Sequence, residues 1–223
     1  MSRGFTPELL GFLRELRDNN SREWFQAHRL QYEQHLLEPA REFVVVMGHR
    51  LKALGDDIHA EPRIHGSIFA INRDTRFSPD KTPYKTHLDL WFWQGAGPSR
   101  ACPGYFFRLT PESLTLGAGM HAFSAEGALE RYRNAVLDPE KGAQLEHATS
   151  NIRNELRGRT YQRVPQGLPK DHPRADFLCH SGLFAEVTLT PAPLANDLSQ
   201  LCLSHFRRFA PLQRWLVDLL SAG

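Results

Sequence analysis

The chain has 223 residues, 41% hydrophobic and 23% charged, which fits one large globular domain or two small ones and excludes disordered, collagen-like and disulfide-dense classes. Its 27 basic and 25 acidic side chains leave a net charge of +2 and a pI near 8.5, short of the value above about 9 that marks a dedicated nucleic-acid binder. The longest apolar run, at 43–47, is far below the roughly twenty residues of a membrane span, and the scattered Cys102, Cys179 and Cys202 read as free thiols of a cytoplasmic protein.

Helical signals come first. Thr6 as N-cap, Pro7 at the first helical position and Glu8 at the positive dipole end open a helix whose apolar face is Leu9, Leu13 and Leu16, with Phe5 placed to staple onto Leu10. Ser21 caps a second helix in which Trp24, His28, Tyr32 and Leu36 recur every four residues, and Pro39 ends it or begins the next. A third carries Phe43, Met47, Leu51 and Leu54 to a stop at Gly55.

The period then drops to two. Phe69, Ile71 and Arg73 alternate with small or polar residues, and from Tyr84 to Trp93 two sets of side chains alternate, so residues 67–116 are expected to form a mainly antiparallel sheet, including a hairpin across Thr110-Pro111-Glu112-Ser113. After Ser124, a further N-cap, helical spacing returns. Asp138-Pro139 restarts a helix reaching Leu156, residues 164–173 form a surface connection, and a short helix near Phe177 and a strand at 185–189 precede two C-terminal helices at 198–206 and 212–220. The expected architecture is a single α+β domain over residues 1–223, with a central sheet covered by N-terminal and C-terminal helices.

The densest polar segment joins the first two predicted strands. Arg73, Arg76, Lys81 and Lys85 set four cations against Asp74 and Asp80, a loop suited to gripping carboxylate or phosphate at the sheet edge. Asp74 and Asp80 can orient those cations or act as a base, and Tyr84 and His87 can pass protons, which makes these four the candidate catalytic groups. The alternative is a loop tied down by its own Arg-Asp pairs. Arg22, at the start of the second helix, can extend the basic site, unless Asn20 or Ser21 there is a cap and Trp24 is core.

The run from Arg73 to Lys85, R-D-T-R-F-S-P-D-K-T-P-Y-K, resembles the signature of the family named for its domain of unknown function, number 2461. Collinear matches are Asn19-Asn20 with Arg22 and Trp24-Phe25, then Pro103-Gly104-Tyr105, Gly117-Ala118-Gly119-Met120, and Val164-Pro165 leading to Asp171-His172-Pro173. The pattern departs at Asn72, where an aromatic or other bulky residue is expected. The resemblance implies one whole-chain domain and carries no activity onto these residues.

On the strand through 93, Lys85, His87 and Asp89 share a face with Trp91 and Trp93, opposite Leu88, Leu90 and Phe92. That face is either a groove with charges at one end and indoles at the other or a second covered face. Gly117-Ala118-Gly119 reads as a tight turn, and Arg153, Arg157, Arg159 and Arg163 as a solvated face. No H-E-x-x-H or C-x-x-C is present, so neither a metal site nor a cofactor is expected. The reading that follows is a protein binding a small anionic ligand, phosphorylated or nucleotide-like, through Arg22, Arg73, Arg76, Lys81, Lys85, Trp91 and Trp93, without a membrane partner. A nucleic-acid-binding module and a ligand-free interaction scaffold are the alternatives.

Overall fold

In the computed structural model, which describes residues 5–97, 99–190 and 197–221, the N-terminal quarter is helical. Helix α1 (Pro7–Asp18) buries Leu9, Leu10, Phe12, Leu13 and Leu16 on one face, as the spacing predicts. Helix α2 (Arg22–Ala27) starts at Ser21, whose hydroxyl accepts from the Trp24 N–H. Helix α3 (Arg29–Gln31) and a π-helical turn (Tyr32–Leu37) lead directly into α4 (Glu38–Leu51), which has Pro39 in its first turn. The π turn answers the spacing of four: it widens the helix where the apolar repeat outruns 3.6, and so keeps Tyr32, Leu36 and Leu37 all buried.

The strands are β1 (Leu88–Trp93), β2 (Gly104–Leu109), β3 (Leu114–Met120), β4 (Leu156–Arg159) and β5 (His180–Leu189). They form one five-stranded sheet in the order β1-β2-β3-β5-β4, so the architecture is α+β with an antiparallel sheet between helical chain ends. The remaining helices are α5 (Ala128–Leu137), α6 (Pro139–Thr149) and α7 (Leu198–Ser221).

Several boundaries differ from the expected ones. The sheet runs well past residue 116, and the 68–73 segment pairs with 84–90 only through isolated bridges, Ile68 to Leu90 and Asn72 to Tyr84. Leu156 begins β4 rather than ending a helix, because helix α6 stops at Thr149, whose hydroxyl turns back to the Leu145 carbonyl (2.8 Å). The expected N-cap Ser124 lies outside α5, whose cap is Gly127 in a left-handed conformation (φ 71°). Gly117-Ala118-Gly119 is the interior of β3 and not a turn: a Cβ on Gly117 or Gly119 would lie 2.7 or 2.4 Å from the carbonyl oxygens of Ala185 and Leu183 in β5. The two C-terminal helices are one, with Pro211 inside it.

The chain divides into two compact units, each made of three segments: 1–92, 106–116 and 188–203 in the first, and 93–105, 117–187 and 204–223 in the second. The first has an aromatic core in which Phe5, Phe43 and Phe107 lie 5.0–5.8 Å apart. In the second, Tyr105 packs on Phe206 (5.0 Å), and Tyr132 stacks on Phe123 (4.5 Å) and meets the edge of Trp215. Among the described residues no helix is long and apolar enough to cross a membrane, and Cys102, Cys179 and Cys202 are buried free thiols.

Candidate anion-binding loop

The polar loop lies in the first unit, on the tip of a two-stranded excursion. Lys85 N–H donates to the Ile71 carbonyl (2.7 Å) and Arg73 N–H to the Pro83 carbonyl (2.9 Å), so the chain pairs with itself on both sides of the Asn72–Tyr84 bridge. Below the tip, Phe69 N–H donates to the Asp89 carbonyl and Trp91 N–H to the Ser67 carbonyl, which lays the segment along β1. Asn20 braces the base: its amide donates to the Tyr84 carbonyl (2.9 Å) while its oxygen accepts the Tyr84 N–H (3.0 Å). The Tyr84 ring stacks on Phe25 at 4.2 Å.

Each of the four cations has a partner within the protein. Arg76 clamps Asp74 through Nε and Nη2 (2.9 and 2.7 Å), and these bonds hold the Asp74 carboxyl down at about 2. Arg73 bonds Asp80 and the Thr82 hydroxyl (2.8 Å). Asp80 is likewise held at about 2, first by the N–H and hydroxyl of Thr82 and then by Arg73. Lys81 Nζ donates to the Thr75 carbonyl, and Lys85 Nζ donates to the Ala70 carbonyl and sits over the Phe69 ring (5.3 Å). Both carboxylates are thus consumed by arginines, and both lysines rest on main-chain oxygens. Arg22 is exposed at the start of α2.

Two features of this region were not read from the sequence. Phe77, at the loop apex, is 93% exposed, with the Arg76 guanidinium 5.8 Å from its ring centre. A phenyl ring held fully in water on a hydrogen-bonded loop is an unusual placement for its size. Its one signal was its position between Arg76 and Ser78, with no apolar neighbour to pack on.

The second is a buried carboxylate at the loop's foot. Asp89 is 6% exposed, receives Arg108 Nε and Nη2 at 2.7 and 2.9 Å, and has His87 Nε2 3.2 Å away. Burial opposes its charge, but the bonds from Arg108 and His87 outweigh burial and hold it at about 2. Asp89 therefore fixes the His87 ring in place. Arg108 belongs to β2, and only strand pairing brings it to Asp89.

The proposed open face of β1 is largely covered. Trp93 is 7% exposed and Trp91 half-buried, which fits the covered alternative better than an open groove. Tyr84, 5% exposed and stacked, serves as packing at the base of the loop. Among the described residues no group of three or more His, Cys, Asp or Glu side chains could hold a metal ion.

Fold and loop together describe an α+β protein that carries a braced, polar hairpin tip beside its edge strand. The chain belongs to a family described as conserved hypothetical protein (DUF2461), whose model matches residues 8–215. None of the curated proteins matches it.

Proposed function

We propose that the 73–87 loop binds a small anionic ligand with a flat ring, a phosphorylated nucleoside being the simplest chemistry. The observation that carries this reading is Phe77, exposed at the apex of a loop whose two carboxylates are already committed to arginines. A ring with no apolar cover supplies a stacking surface, and ring stacking contributes about 1–3 kcal/mol per base. Lys81, exposed and donating to one carbonyl, supplies the cation that meets the phosphate, with Arg73 and Arg76 setting the local potential. The internal ion pairs serve this reading as bracing, since a loop held by its own bonds loses less freedom when it binds.

Calorimetric titration with adenosine monophosphate tests it. Phe77→Ala removes a fully exposed ring and Lys81→Ala a single exposed bond to the Thr75 carbonyl, so the melting temperature should move little while affinity falls by about tenfold or more. Equal affinity in wild type and both variants would reduce the loop to a self-paired structural element. The same exposed ring beside cations also favours a single-stranded nucleic acid as the alternative ligand. A salt series separates the two, because affinity for a strand falls with log salt by roughly 0.7 per phosphate contacted, whereas one phosphate gives a shallow slope.

A further inference from the structure

We propose that the second unit holds a separate binding site for a phosphorylated small molecule, in the groove between the end of β4 and the 3-10 turn Phe177–Cys179. The groove has a volume of about 410 Å³, within the range of about 300–1,000 Å³ typical of small-molecule sites. Arg159, Arg163 and Lys170 line it against one carboxylate, Asp176, which Arg159 already binds. Arg163 and Lys170 are exposed and have neither an ion-pair nor a hydrogen-bond partner among the described residues. Val164 forms an apolar wall, and the buried Cys179 lies at the floor.

The cations stand on a braced frame. Gly158, at φ 99°, makes a bulge that shifts the register with β5 between Arg157 and Arg159; a Cβ there would lie 2.2 Å from the Gly182 oxygen. Such a bulge re-aims the side chain that follows it, here Arg159, whose Nη2 donates to the Gln162 carbonyl (3.1 Å). Thr160 N–H and Tyr161 N–H both donate to the Cys179 carbonyl at 3.0 Å, tying the groove's two sides together. The rim loop closes on a turn, Leu168 N–H to the Pro165 carbonyl, with Gly167 at φ 87°. Its far end is anchored by Arg174, which donates to the carbonyls of Val136 (2.7 Å) and Asp138 (3.1 Å).

Two unpaired cations on one rim favour a dianion over a single carboxylate, since a phosphate monoester can accept charge-assisted bonds from both at once. The apolar wall and floor give the ligand's neutral body a surface to cover. Arg153, Arg157, Arg159 and Arg163 are all exposed, as a solvated face requires, but 156–159 is strand β4 rather than helix, and the loop after it brings Arg159 and Arg163 to a groove with Lys170.

The test is amide-resolved NMR of the full chain titrated with ribose 5-phosphate, with ribose as the neutral control. The expected result is that the phosphate ester shifts the amide signals of Arg163, Val164, Gly167 and Lys170 while ribose does not. The double variant Arg163→Gln with Lys170→Gln should weaken the affinity by about tenfold or more. Arg163→Lys with Lys170→Arg, which keeps both charges, should retain most of it. Shifts confined to the 73–87 loop, no shifts at millimolar ligand, or unchanged affinity in the charge-removed variant would each overturn the groove and leave the loop reading untouched.

Discussion

Asn20 shows how much one side chain can hold. Its amide takes the place of a strand neighbour, satisfying both the N–H and the carbonyl of Tyr84, a residue 5% exposed. Asn20→Ala strands both groups in a place that water reaches poorly, at about 1–3 kcal/mol each. We expect a loss of about 2–4 kcal/mol in urea unfolding, with the slope unchanged. Asp89 makes a second prediction at this scale. Its folded pKa, about 2, lies below the ordinary 3.8, so its stabilisation is fully present above about pH 5 and is lost as pH falls through 2. At neutral pH that amounts to roughly 2 kcal/mol. Asp89→Asn should therefore lower stability at pH 7 by about this much, and the gap from wild type should narrow in unfolding curves taken near pH 2.5. The polar character of the loop was legible because its residues are contiguous. The partners that decide what those residues do, Asn20 and Arg108, lie 64 and 19 positions away and are set by folding.

Helices and strands were legible where one pattern dominated and missed where two competed. Helix α1 has a cap, an N1 proline and an uninterrupted stripe, and it forms as read apart from the cap itself, where the Thr6 side chain makes no capping bond. Strand β4 was missed because Ile152 and Leu156 also fit a helical repeat, and four residues carry too little alternation to say otherwise. Helix α7 runs through Pro211, a residue that costs about 3 kcal/mol in a helix interior, because Phe206, Phe209, Leu212, Gln213 and Leu216 around it are all buried. The junction of α5 and α6 carries the element-scale prediction. Gly142 leaves space for Arg174: a Cβ there would fall 2.3 Å from the Arg174 Nε and 2.6 Å from the Val136 carbonyl. Gly142→Ala must push the guanidinium off the carbonyls it holds, and we expect thermal unfolding to show a loss of about 1–3 kcal/mol.

At the scale of the whole chain, the balance of 27 basic and 25 acidic groups hides local excesses, one at the 73–87 loop and one at the groove beside β4. Both were invisible to net charge, and the second also to sequence spacing. The two compact units were not legible either, since no linker separates them and each is assembled from three stretches of chain. We propose that they unfold together. Each unit lacks part of its residues unless distant stretches are present, so near-UV and far-UV circular dichroism should give coincident thermal transitions, and two separated melts would count against a single cooperative domain.

The interleaved segments also impose an order on synthesis. A ribosome releases the chain from the N-terminus, yet the first unit needs residues 188–203 and the second needs residues 204–223. Neither has all its residues while the nascent chain stops short of those stretches, and the helical first quarter emerges before β1 and β2. Until Phe107 has followed, α1 and α4 carry apolar faces that the finished molecule buries, and that interval is the one in which the nascent chain is open to chaperones and to aggregation.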